Sequence, residues 1–569
     1  MNTFRRRLFA VLASLAMLAP GPATRVLAQQ TAPAGDTKPR YDLLIRNGRI
    51  VDGTGNPWFR GDVAVRGGRI VAVGRVGPGE ATHEIDAQGF VVAPGFIDIH
   101  SHSDYLLLED GDAQSKIRQG VTTEVLGEGE SAGPNRGPRL ASPAPGGPGP
   151  ARRWPTLAAY FTALEQSGTA VNVASYVGLN NVWQSVMGNA FDRPTEEQMR
   201  QMKQLVAEAM DDGARGLSSQ LAMPPGSLAT LDEVVELCRV AARHGGIYST
   251  HIRNEGTGVF DAVEEAIEIG RRAGLPVDII HLKIADQQYW GRMPQVVALI
   301  ESARLGGLDV QANVYPYTRG NNNLSSIIPP WAHEGGTAKM LQRLKDPETR
   351  KRLKHDITHG IDGWYNHYTA VGGDWSRMLV SAENRFKGLT MDRVLALRAQ
   401  GKPAADALDE LFDLLLEESG SVGTVYAHHT EDDMNLALVQ PWCSIGSDGS
   451  AYAVEGPLRR GNPHPRNFGT FPRVLGEYVR DRKLLRLEDA VRKMTSLNAA
   501  KLGLADRGLL RPGMAADLAI FDAEKVSDRS TYTDPFQYSE GIEWVVVNGT
   551  VVLDRGRHTG ARPGKVLRH

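Results

Sequence analysis

From Tyr41 to about Val92 the chain alternates short apolar runs with turn residues. Tyr41-Asp42-Leu43-Leu44-Ile45, Asp62-Val63-Ala64-Val65 and Arg69-Ile70-Val71-Ala72-Val73 are separated by Asn47-Gly48 and Gly67-Gly68. Short β-type runs broken by such turn signals predict a small all-β unit. The C-terminal end repeats the style, with Ala516 to Phe521, Ile542 to Val547, and Asn548-Gly549 before Val551-Val552-Leu553. The two ends, residues 41–92 and 505–569, are expected to form one β-sandwich closed by both termini.

Residues 93–504 alternate short apolar runs with amphipathic helical patterns, as βα units do. Thr195-Glu196-Glu197-Gln198 and Thr230-Leu231-Asp232-Glu233 each set a threonine three residues before Gln or Glu, the reciprocal cap that opens a helix. These helices are expected to end near Gly213 and Gly245. Val277 to Ile280 and Asp309 to Ala312 read as the next strands. The repetition predicts an α/β protein and favours a (β/α)8 barrel over an open sheet, though periodicity alone does not close the ring. Residues 133–150 are rich in Pro and Gly and read as a loop. The charged stretch from about 337 to 409 has helical periodicity and no clear strand, and reads as an insertion.

Composition narrows the class of function. The 569 residues are 41% hydrophobic and 23% charged, which fits a folded chain and excludes disorder and a coiled-coil rod. Sixty-four basic against 66 acidic residues leave no electrostatic footprint for nucleic acid or an anionic membrane. Two cysteines, Cys238 and Cys443, exclude a disulfide scaffold and a zinc site built mainly from thiolates. Residues 1–28 have the layout of a secretory signal peptide: Arg5-Arg6-Arg7, an apolar run from Leu8 to Leu18, and Val26-Leu27-Ala28 as cleavage site. The run is shorter than the roughly 20 residues that span a bilayer. Arg6-Arg7-Leu8-Phe9 suits a twin-arginine signal and ordinary secretion alike; both predict a periplasmic or secreted protein. Oligomeric state has no signature in the sequence.

The candidate chemistry sits at predicted strand ends. Val91 to Ile99 runs into His100-Ser101-His102, and a two-residue spacing on a strand puts both imidazoles on one face, ready for a metal. Asp98 shares that face, where it orients a histidine or accepts a loop hydrogen bond. His251 closes Gly246 to Thr250, and His281 closes Val277 to Ile280. Alone, each histidine reads as a satisfied structural residue. Three successive strand ends each offering one is what a metal centre in a barrel mouth requires. Asp448 follows a predicted strand from Gln440 to Ser447 and reads as a site carboxylate or a turn aspartate.

Asn47-Gly48-Arg49-Ile50-Val51-Asp52-Gly53, Pro94 to His102 and the closing Gly508 to Asp517 segment resemble the amidohydrolase superfamily. Thr250-His251-Ile252-Arg253-Asn254-Glu255, Ile280-His281-Leu282-Lys283, Ile445 to Gly449 and His464-Pro465-Arg466 resemble its N-acyl-D-amino-acid deacylases, or D-aminoacylases, over nearly the whole chain from residue 41. The resemblance implies a metal-dependent barrel beside a β-sandwich, holding one or two zinc ions. It implies that His100, His102, His251 and His281 are ligands and that Asp448 is the catalytic aspartate. Lys283, Tyr315 and Arg466 would hold the substrate carboxylate and polarise its carbonyl; otherwise they are a solvated lysine, a packed tyrosine and a surface arginine.

One departure stands out. The deacylases carry a cysteine after the second strand, and that position falls on or beside Gly129, between Glu128 and Glu130. Glu128 is the favoured replacement ligand and Glu130 the alternative, since a carboxylate can bind zinc; otherwise both are loop charges and the metal is held without them. The activity implied is hydrolysis of small N-acyl-D-amino acids, with an isoaspartyl-type dipeptidase as the alternative. D-specificity comes from the resemblance alone. Should Asp448 act chiefly as a ligand, His428 or His429, on the preceding predicted strand, would be the next proton carriers.

Overall fold

Gly95 divides the apolar run that leads to His100. In the computed structural model, which describes residues 40–77, 80–141, 154–399 and 406–569, Val91–Pro94 pairs with Leu518–Phe521 in the β-unit of the chain ends. Phe96–Asp98 instead begins the barrel and is β1. One strand through Ile99 was the expectation; the structure has two, in different sheets. A Cβ on residue 95 would stand 2.2 Å from Thr122 Oγ1, so the crossing needs glycine.

The barrel continues with β2 (Val121–Leu126), β3 (Asn172–Ser175, resumed at Val177–Gly178), β4 (Gly216–Gln220), β5 (Ile247–His251), β6 (Val277–Ile279), β7 (Val310–Val314) and β8 (Cys443–Ile445). Each pairs in parallel with the next. The ring closes just past the ends of β8 and β1, where Asp448 N donates to His100 O (2.8 Å) and His102 N to Gly449 O (2.9 Å). The buried Lys116 ammonium reinforces this seam, donating to Asp98 (2.7 Å), Ser447 Oγ (2.9 Å) and Gly449 O (3.0 Å). The strand expected over Gln440–Ser447 is shorter because the helix Glu431–Val439 runs up to it.

Both predicted caps are present: Thr195 and Thr230 make complete capping boxes for helices Glu196–Asp211 and Leu231–Arg243. The second helix buries Val234, Val235, Leu237, Cys238, Val240 and Ala241, an apolar stripe at helical spacing that seals it onto the strands.

The chain ends supply nine strands to one hydrogen-bonded sheet. Gly67-Gly68 and Asn548-Gly549 are hairpin turns in it, but Asn47-Gly48 is not a turn. Tyr41–Ile50 runs on through it as one strand with a register shift between Ile45 and Gly48, and Asn47 takes φ 61°. The local signal for a left-handed residue was right; a bulge uses it as readily as a turn.

Between β7 and β8 a three-stranded antiparallel sheet forms from Gly320–Asn323, Gly423–Tyr426 and Met378–Val380. It has its own apolar cluster, including Leu324, Met340, Leu353, Met378, Phe412 and Tyr426. Met378–Val380 lies in the stretch read as strandless; three residues are too few to show a period. Residues Gly137–Ala141 of the Pro/Gly segment are helical, anchored by the buried Arg139, which donates to Asn135, Gln184 and Glu130. The rest of that segment, 142–150, and the signal at 1–28 lie outside the described residues. No helix among the described residues is long and apolar enough to cross a membrane.

Candidate metal centre and active site

Two backbone conformations set the geometry of the barrel mouth. His281 (φ 40°) and Asp448 (φ 51°) both adopt the left-handed region, at about 1–3 kcal/mol each for a residue with a side chain. The bond from Asp448 N to His100 O holds one; a bond from His281 N to Asn313 Oδ1 (3.0 Å) holds the other. Both side chains thereby turn into the mouth at the ends of β8 and β6.

Two donor groups meet there. His100, His102, Glu128 and Asp448 form one, and His251, Glu255 and His281 the other, with ligand atoms within 4.8 Å of one another inside each group. Glu128 Oε2 lies 2.8 Å from His100 Nε2 and 2.9 Å from His102 Nε2. Asp448 Oδ1 lies 3.0 Å from His102 Nε2, and Asp448 Oδ2 is 4.0 Å from His281 Nε2. The rings of His251 and His281 meet edge to face at 4.6 Å. His251 Nδ1 lies 3.1 Å from Ile252 O, to which it donates, leaving Nε2 with its lone pair.

These residues suit a dication. Two buried carboxylates converge on imidazole nitrogens, the donor set of zinc, and Glu128 Oε1 and His100 Nδ1 are buried without a hydrogen-bond partner. The carboxylates demand positive charge. Desolvation opposes protonation of His102, yet its bonds to Asp448 and Glu128 push its pKa up to about 10. Burial would raise Glu128, but the neighbouring His100 and His102 hold it well below the usual range.

Of the two glutamates after β2, Glu128 is at the histidines, while Glu130 pairs with Arg139. Asp98 does not orient a histidine ring; it accepts from Lys116, Ser447 N and Ser447 Oγ and so fixes the turn that carries Asp448. Lys283 is likewise committed. Its ammonium donates to Glu255 Oε1 (2.6 Å) and lies 2.8 Å from His281 Nδ1, so it faces the protein and not a substrate carboxylate. Tyr315 is buried beneath the Arg466 guanidinium, 4.8 Å from ring centre to Cζ, and its hydroxyl has no partner.

Arg466 faces the cavity. Its Nη1 is 2.8 Å from Asp448 Oδ2, and this charge holds Asp448 far below the carboxylate range against the opposing effect of burial. The angle is not that of a hydrogen bond, and Nε and Nη1 are buried without an acceptor. The cavity that Arg466 lines holds about 570 Å³ and is lined too by His102, Glu128, His251, His281 and Asp448.

Glu255 escaped the sequence reading of the site. Burial would raise its pKa, but Lys283 and then His251 and His281 hold it well below the usual range, so it is an anion that braces His281. Its signal was the four-residue spacing from His251. His428 and His429 are not on a barrel strand: they follow Gly423–Tyr426. Their Nδ1 atoms lie 2.9 Å apart and His429 Nε2 donates to Tyr317 O (2.7 Å), so His428 must donate to His429. Burial, then the Lys283 charge, lowers His429 to about 3. Both rings stay neutral.

A family model described as the amidohydrolase family matches residues 83–313 and 443–553. The chain belongs to the amidohydrolase family. The gap in that match spans the three-stranded sheet between β7 and β8. This amidohydrolase is 36% identical over 539 residues to a D-aminoacylase from Alcaligenes xylosoxydans xylosoxydans, covering 94% of this chain and 98% of the relative. It is 35% identical to an N-acyl-D-glutamate deacylase from the same organism, covering 93% and 97%. The crystal structure of an N-acyl-D-glutamate deacylase from Bordetella bronchiseptica, complexed with zinc and a phosphonate mimic of the tetrahedral intermediate, superposes with a TM-score of 0.77 at 34% identity, covering 93% of this chain and all of that one.

Proposed function

We propose that this amidohydrolase cleaves the amide bond of N-acyl-D-amino acids, releasing a carboxylic acid and a free D-amino acid. The observation that carries the reading is Arg466: a guanidinium in the wall of the cavity that holds the histidines, with Nε and Nη1 buried and without an acceptor. A cation so placed calls for a small anion, and a carboxylate matches its fork. The relatives named above, deacylases of D-amino acids, supply the D configuration.

His100, His102 and Glu128 would hold one zinc ion, and His251 with His281 a second; Asp448 stands near both groups, 3.0 Å from His102 Nε2 and 4.0 Å from His281 Nε2. Zinc supplies Lewis acidity, polarising an amide carbonyl and making water a stronger acid. Asp448, kept ionised by Arg466, takes a proton from the attacking water and returns it to the leaving nitrogen, which departs poorly as an anion. Arg466 fixes the carboxylate and thereby which amide faces Asp448. Glu255 and Lys283 hold His281 in place.

Turnover of N-acetyl-D- and N-acetyl-L-amino acids, measured before and after chelation and with zinc restored, tests the reading. Zinc-dependent hydrolysis of the D series is expected. Full activity in protein shown to be metal-free, or preference for dipeptides over every N-acyl amino acid, would overturn it.

A further inference from the structure

The cavity is larger than an N-acetyl amino acid needs and is polar where it is not catalytic. The about nine non-hydrogen atoms of N-acetylalanine fill roughly 270 Å³ at about 30 Å³ per water-sized group, half of the 570 Å³ present. Much of the wall away from the histidines comes from the three-stranded sheet and its connections. Asn321, Asn322, Ser381 and Ser421 line it. Among the described lining residues, only Ala382 and Pro463 bring aliphatic side chains.

The charges on this wall are spent inside the protein. Arg460 makes a two-pronged pair with Glu109 (3.0 and 3.1 Å), and Glu383 pairs with Lys387 (2.8 Å) while accepting from Gly461 N. Neutral groups remain. Ser381 Oγ donates to Asn321 Oδ1 (2.9 Å), which occupies the amide's oxygen and leaves the NH2 of the exposed Asn321 as a donor.

We infer that the substrate carries a second amide beyond the scissile bond and its carboxylate, recognised by Asn321 and the hydroxyl groups beside it. This rests on the deacylase reading and names its substrate class. An alkyl chain would leave the wall's polar groups unpaired, and a second carboxylate would find no free cation there. The second amide can sit in the acyl group, as in a peptidyl-D-amino acid, or in the side chain, as in glutamine.

The test compares kcat/KM in two sets. The first pairs N-acetylglycyl-D-alanine with N-pentanoyl-D-alanine; the second sets N-acetyl-D-glutamine against its D-norleucine and D-glutamate counterparts. The amide-bearing member should lead in at least one set by on the order of tenfold, and the set shows which position is read. In Asn321→Leu that ratio should fall toward one. If alkyl or carboxylate members equal or lead the amide in both sets, or if the ratio survives Asn321→Leu, the inference fails. Hydrolysis of N-acetyl-D-alanine by the parent protein reports separately on the deacylase reading.

Discussion

Arg466 Nη1 stands 2.8 Å from Asp448 Oδ2 without hydrogen-bonding to it. The pair is close enough for charge to matter and too misaligned to consume the guanidinium's donors. One arginine thus does two things: it keeps the aspartate anionic, and it leaves a cation in the cavity wall for a second anion.

Arg466→Ala should therefore weaken N-acyl amino acids far more than the matching amides or esters. Loss of a buried charge-assisted pair is on the order of 2–5 kcal/mol, read as a fall in kcat/KM for the charged series. Arg466→Lys should recover only part, because an ammonium cannot present two parallel donors. Equal losses for charged and neutral substrates would assign Arg466 to holding Asp448 alone.

Glu128 contacts both His100 and His102, whereas Glu130 is spent on Arg139. Glu128→Ala should lower the zinc content of purified protein, and Glu130→Ala should leave it near the parent value while loosening the Gly137–Ala141 helix. Elemental analysis of the two variants decides; metal loss confined to Glu130→Ala would reverse the roles.

The site histidines were legible because each follows an apolar run, and a strand end is where a barrel gathers its chemistry. The two threonine caps were legible because capping is local. What sequence could not show is partnership. Lys283 carries the motif of a carboxylate binder, yet its distance to Glu255 depends on how β5 and β6 lie side by side. The same holds for Lys116, whose burial between Asp98 and Ser447 needs β1 and β8 joined. The break at Gly95 is steric, and the residue that enforces it, Thr122, is on another strand.

Histidines outside the metal groups should set the acid stability. Burial lowers His367 and His429 each to about 3, so the folded chain resists a proton that the unfolded chain takes up at about 6.5. The unfolded state then binds more protons as pH falls, and stability declines from pH 6.5 downward until the folded pKa near 3. At pH 5 the cost is about 2 kcal/mol per histidine. Urea unfolding at pH 7 and pH 5 should show the drop, and His367→Phe, which cannot protonate, should narrow it by about that amount. An unchanged gap between the two pH values would place the acid sensitivity elsewhere.

Asp448 gives the sharpest test, because its two roles separate under one substitution. Its carboxylate touches His102 through Oδ1 and Arg466 through Oδ2, at a backbone position strained enough to be held by His100 O. Asp448→Asn keeps the size and most of the hydrogen bonding but removes the base. If Asp448 moves the proton, the variant should fold, retain zinc and lose about 10²–10⁴-fold in kcat. Metal content measured on the same preparation tells the alternatives apart. Zinc lost together with activity makes Asp448 chiefly a ligand. The proton must then travel otherwise, and not through His429, whose Nε2 is tied to Tyr317 O. Parent-rate turnover with zinc bound would make Asp448 a turn residue whose strain has no part in the reaction.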